Sequence, residues 1–161
     1  MKRVAKIISL LLIVFITSNS FVSAQTYSEN STCVSHYTEQ LSDGYYLEVY
    51  IEESIDLSNS RAMSSKTGTK TYVIYDDNSD TVAKFVLTAR YNYNGYSVSC
   101  LEASHSTTIY DDSWEFTSTS SSYSDNVATG KFTAKKYVLF VATDTVSKTI
   151  TLTCDKNGNL S

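Results

Sequence analysis

The chain has 161 residues, with 13 Lys and Arg against 17 Asp and Glu, no Pro and 13 Tyr. That length fits one domain. The acidic balance excludes a nucleic-acid binder that relies on phosphate neutralisation, and an apolar content of 42 % excludes a disordered chain. Ser and Thr together number 46, with only five Gly, a composition that favours β structure.

Residues 1–24 read as a secretory signal peptide. Lys2, Arg3 and Lys6 form a positive start, and Ile7–Ile16 is apolar apart from Ser9. The small residues Val22-Ser23-Ala24 then mark a cleavage site. The alternative is an N-terminal membrane anchor, but ten residues are too few to span about 30 Å of hydrocarbon. Cleavage leaves Gln25 as the first residue and removes Lys2, Arg3 and Lys6, taking the net charge from −4 to −7. There is no second apolar run, and without Pro there is no LPxTG-type wall-sorting signal. The expected product is therefore free and extracellular, with no membrane contact after cleavage.

Residues 25–40 form a polar lead-in containing Cys33 and His36, and a single domain is expected over 41–161. Asp43-Gly44 is a turn signal. Tyr45–Glu53 alternates, with Tyr45, Leu47, Val49 and Ile51 on one face, as a half-buried strand does. A Ser- and Asn-rich loop is expected over 54–68. Thr69–Tyr75 and Thr81–Tyr93 are strands about a turn at 76–80. Asn94-Gly95 is a strong hairpin signal, and a two-residue loop there would set Tyr93 opposite Tyr96. Strands follow at Tyr96–Ala103, Ser106–Tyr110, Trp114–Tyr123 and Val127–Ala134. Tyr137–Ala142 is apolar on both faces and is therefore expected at the centre of a sheet. Lys148–Cys154 alternates again. Eight or nine short strands without helical periodicity predict an all-β antiparallel sandwich, immunoglobulin-like or jelly-roll-like.

Several stretches carry a resemblance: Lys66–Tyr72, Tyr93-Asn94-Gly95, Ile109–Trp114, Ala128–Lys131 and the tail Thr151–Gly158, with Asp43–Glu48 and Glu52-Glu53 upstream. Together they resemble a group of small secreted proteins of Gram-positive, often gut-dwelling, bacteria, over residues 41–161. The resemblance implies secretion and carries over no activity, substrate or catalytic residue. Cys100 and Cys154 sit where the group's cysteine pair falls, while Cys33 stands outside it.

Cys100 and Cys154 also each project from the apolar face of a strand, which suits an inter-sheet disulfide; two buried thiols are the alternative. Asp76-x-Asn78-x-Asp80 matches the first ligands of a calcium loop, but Thr81 and Leu87 stand where that loop needs Gly and Glu. The stretch reads as a turn, and no metal or cofactor is expected. Glu52/Glu53 and Asp111/Asp112 are adjacent pairs that point to opposite faces of a strand, so neither pair flanks one bond. No Gly-x-Ser-x-Gly turn supports a serine nucleophile. Trp114 reads as a core anchor.

Tyrosine is the informative excess. Tyr91, Tyr93 and Tyr96 cluster about Asn94-Gly95, and Tyr46 and Tyr50 share a strand face; such rings serve ligand platforms or stabilise sheets. The functional expectation is a secreted, non-catalytic binding module for a glycan, the cell envelope or a protein, with Tyr91, Tyr93 and Tyr96 as candidate contacts. The alternatives are a secreted hydrolase whose acid residues assemble only in three dimensions, or an inhibitor or toxin-like interaction protein.

Overall fold

A computed structural model describes residues 31–41, 44–56 and 63–161. The expected signal segment 1–24, its cleavage point and residues 57–62 of the expected loop lie outside the described residues. Eight strands follow in order: β1 Ser31–Gln40, β2 Tyr46–Asp56, β3 Ser64–Tyr75, β4 Thr81–Tyr93, β5 Val98–Ile109, β6 Trp114–Ser124, β7 Val127–Val138 and β8 Val141–Thr153. They build two antiparallel sheets, β1-β2-β3-β4-β5 and β6-β7-β8. The fold is the expected all-β sandwich. Its strand order is consecutive throughout, a meander without the Greek-key crossover of an immunoglobulin or jelly-roll arrangement.

Alternation places the core. Ala83, Phe85, Leu87, Ala89 and Tyr91 of β4 point inward, as do Leu47, Val49 and Ile51 of β2 and Ile150 and Leu152 of β8. Each large side chain among them contributes about 1.5–3 kcal/mol by leaving water. The sheets meet where Phe85 lies 5.1 Å, centroid to centroid, from Phe132 on β7. Two glycines let them approach: a methyl group at Gly130 would sit 3.0 Å from the Phe85 ring, and one at Gly68 would sit 2.8 Å from Leu160. Trp114 is a core anchor as expected, packed edge-on to Tyr45 at 5.3 Å.

Five local expectations are corrected. Ser54–Asp56 and Ser64–Gly68, at the two ends of the loop expected over 54–68, are the end of β2 and the start of β3. Ser31–Gln40, within the expected lead-in, is strand β1, paired with β2 from Ser31↔Ser54 to Gln40↔Tyr46. As an edge strand it buries almost nothing, so it lacks an apolar stripe to betray it. Ser106–Tyr110 is no separate strand, because β5 runs on to Ile109. At the β4–β5 hairpin Tyr93 pairs with Val98, so the loop has four residues. The Asn94 carboxamide oxygen accepts from the Tyr96 and Ser97 N–H groups at 3.0 and 2.9 Å, and this closes the wider turn. Finally, Tyr137–Ala142 is not a central strand. It is the tip of the β7–β8 hairpin.

A meander gathers alternate turns at opposite ends. One end carries the four-residue loop 94–97, the β6–β7 turn and the C-terminal residues. There Gly95 N–H donates to Lys156 O at 2.8 Å, and Thr153 and Ser161 exchange backbone hydrogen bonds. Buried Lys66 reaches Glu53 at 2.7 Å and Gly158 O at 2.5 Å, and buried Lys70 donates to Thr151 O at 3.0 Å. The other end carries the β1–β2, β3–β4, β5–β6 and β7–β8 turns. It is tied by Tyr137 N–H to Ser113 O at 2.7 Å and by Lys136 Nζ to the Tyr45 hydroxyl at 3.0 Å.

Candidate functional site at the β7–β8 apex

Val138 and Val141 are the last pair of the β7–β8 ladder, which leaves Leu139-Phe140 as a two-residue loop. Both loop residues have left-handed backbones, with φ of 48° and 70°. Positive φ at both centres is the type I′ geometry that matches strand twist and favours Asn-Gly. An L side chain there crowds its own carbonyl and costs about 1–2 kcal/mol per residue. The side chains gain nothing from the fold in exchange. Val138 is 49 % exposed, Leu139 87 %, Phe140 99 % and Val141 65 %.

Below this apex the chemistry changes sharply. Tyr137 and Lys136 come first, and the Lys136 ammonium lies 5.7 Å from the Tyr45 ring centroid. Its hydrogen bond to Tyr45, with Asp144 and Asp111 nearby, holds the amine above its ordinary pKa despite some desolvation. The neighbouring turns are acidic: Asp76, Asp77 and Asp80 between β3 and β4, and Asp111 and Asp112 between β5 and β6. Asp76 Oδ1 accepts the Asn78 and Asp80 N–H groups, both at 2.9 Å. The Asp80 contact is the main cause of its lowered pKa. That carboxylate serves its own turn, as expected from sequence. No metal-binding cluster occurs among the described residues.

The three hairpin tyrosines occupy three environments. Tyr91 is fully buried, and its hydroxyl donates to Leu152 O at 2.6 Å; burial pushes its pKa up. The ring belongs to the core, on the same face as Phe85, Leu87 and Ala89. Tyr93 packs on Gly158, where an added methyl group would fall 2.5 Å from the ring. Only Tyr96, 93 % exposed, stands in solvent. The rings do not form one surface.

On the outer face of the larger sheet, His36 stacks on Tyr50 at 4.5 Å and Tyr46 on Tyr75 at 5.0 Å. Each pair spends a ring face on its neighbour. Glu48 lies between the pairs and accepts the Tyr50 hydroxyl. At the seam between the sheets, His105 Nδ1 lies 2.9 Å from Ser121 Oγ while its ring stacks on Phe85.

The expected Cys100–Cys154 disulfide is absent: Cys33, Cys100 and Cys154 are all free thiols. The β6–β7 turn sits beside both residues. Consecutive carbonyls, Asp125 O and Asn126 O, accept from Cys100 N–H at 2.7 Å and Cys154 N–H at 3.2 Å, so the turn links the two cysteine backbones. Each thiol donates locally, Cys100 to Glu102 O and Cys154 to Asp155 O. Burial pushes the Cys154 thiol up to about 11 and raises Cys100 as well.

The apex was missed because an apolar run on both faces reads as a buried strand. One signal could have found it. Strands of equal length fitted into 127–153 require a turn near residue 140, in the middle of that run. No family model, curated protein or solved structure matches the chain.

Proposed function

We propose that the protein is an exported, non-catalytic binding module that engages its target through the apex Val138–Val141. One observation carries the reading: Leu139 and Phe140 are almost wholly exposed in a backbone conformation that disfavours them. Strain of this kind persists where the surroundings impose it, and it clusters at ligand-contacting segments. Export rests on the signal-like segment 1–24 and on the resemblance to secreted Gram-positive proteins. A photo-crosslinking amino acid placed at position 140 tests the reading, with position 96 as the exposed control. Cell-surface material should yield adducts from position 140 and none from 96. Equal labelling from both positions, or none from either, removes the apex as the contact.

One contact favours a second reading, that of a hydrolase. The His105–Ser121 pair has the nucleophile-to-base spacing of acyl-transfer enzymes. Among the described residues no hydrogen bond from His105 to a carboxylate completes a triad. A fluorophosphonate probe should leave Ser121 unmodified. Labelling that disappears in Ser121→Ala would replace binding with hydrolysis.

A further inference from the structure

We infer that the partner of the apex is a lipid bilayer with a choline-rich surface, into whose interfacial layer the β7–β8 tip inserts. The inference rests on the reading of the apex as the binding element and names what it binds.

The side chains are ordered as an interface requires. Leu139 and Phe140 stand at the tip, Val138 and Val141 one level behind, then Tyr137, then Lys135 and Lys136. In a bilayer, apolar groups lie deepest and Tyr sits at headgroup level, while Lys stems cover apolar surface with their ammonium groups in water. Depth agrees as well. Two levels of strand at about 3.4 Å per residue reach about 7 Å, within the 5–10 Å at which interfacial segments bury. Pairing of Val138 with Val141 satisfies the backbone one level behind the tip, and the Leu139 and Phe140 peptide groups would find partners among the hydrated headgroups of the interfacial layer.

Size argues against a protein as the primary partner. A stable interface takes about 20–30 residues a side, whereas the finger offers four on a convex tip. A bilayer needs no preformed pocket. Charge selects the lipid. Asp76, Asp77 and Asp80 on the β3–β4 turn and Asp111 and Asp112 on the β5–β6 turn lie at the same end as the finger, with Asp76 and Asp111 in electrostatic reach of Lys136 at its base, and would meet the outermost headgroup charges. Quaternary ammonium groups complement these carboxylates, and anionic headgroups oppose them. This revises the expectation of no membrane contact after signal cleavage. Interfacial insertion needs a few apolar residues at a turn, not about twenty in a row.

Flotation of the full chain with phosphatidylcholine vesicles is the test, repeated with about one-third phosphatidylserine. The double variant Leu139→Asn/Phe140→Gly suits the turn and should fold; its melting temperature checks this. Wild type should float with phosphatidylcholine vesicles, the double variant should bind at least about tenfold more weakly, and Tyr96→Ser should match wild type. Phosphatidylserine should weaken binding, and added salt should relieve that weakening. Absence of flotation, tighter binding to the anionic vesicles, or unchanged flotation of the double variant overturns the inference. If flotation is absent while sedimentation shows a dimer that the double variant dissolves, the lipid assignment falls and the apex remains the binding element. If the double variant changes neither, both fall.

Discussion

Two hairpin tips project from opposite ends of the sandwich, and they use opposite chemistry. The β4–β5 loop has Gly95 at φ 84°, where glycine adopts a left-handed backbone without strain, and the Asn94 side chain ties the turn. The β7–β8 loop places Leu139 and Phe140 in the same half of backbone space. The first tip is locally optimised and closed by the C-terminal residues. The second is locally frustrated and open. A sequence violates its own turn rules where something other than stability is being served.

The comparison can be broken most severely at Tyr91. If the first hairpin is structural, Tyr91→Ala should cost about 3–5 kcal/mol in chemical denaturation. A loss below about 1 kcal/mol would return that ring to the ligand surface. At the second tip the sign reverses. Leu139→Asn/Phe140→Gly should raise stability by about 2 kcal/mol, because both residues then suit positive φ. Destabilisation would mean that the apex side chains are structural after all.

An alkaline titration probes the closed end. Cys154 is raised to about 11 from an ordinary 9.0, chiefly by burial. Its contribution is complete below pH 9 and is lost as pH rises from 9 toward 11, because the unfolded thiol ionises first. Stability should therefore fall by about 1–2 kcal/mol over that window, and less steeply in Cys154→Ala. Buried Lys70 acts in the opposite direction, since desolvation lowers its pKa and its contribution grows as pH rises toward 10.5. Smallest of all, Asn94→Ala should cost about 1 kcal/mol through its lost turn bonds, and Tyr96→Ser should change stability by under about 0.5 kcal/mol. Calorimetry on both variants separates the residue that ties the loop from the ring that merely rides on it.

How much of this was legible depended on burial. Thr81–Tyr93 appears in the structure at its expected bounds, because β4 buries every second residue between two turn segments. Cys154 and Leu152 share an inward face as their alternation implied, yet alternation does not specify a covalent bond, and both thiols are free. β1 was illegible for the reverse reason. An edge strand whose two faces are both largely exposed has no periodic signal to display. Val138–Val141 misled because periodicity records apolar character and is blind to whether a fold or a partner uses it. The candidate site therefore lay in a stretch already noticed and assigned to the interior.

The buried lysine contacts also bear on the order in which the molecule is assembled. All six strand pairs join sequence neighbours, so six hairpins can zip locally, and local pairing is the fast route for β chains. The contacts that lock the two sheets are remote. Lys66 reaches Gly158 across 92 residues, Lys70 reaches Thr151 across 81, and Lys148 bonds Glu39 across 109. A chain emerging N-terminus first can complete the larger sheet while β8 is still absent. During that interval Lys66 and Lys70 face water on an unfinished surface. The larger sheet is then complete in its pairing but uncovered, with two ammonium groups set among the apolar side chains of its inner face, until residues 148–160 arrive and cover it.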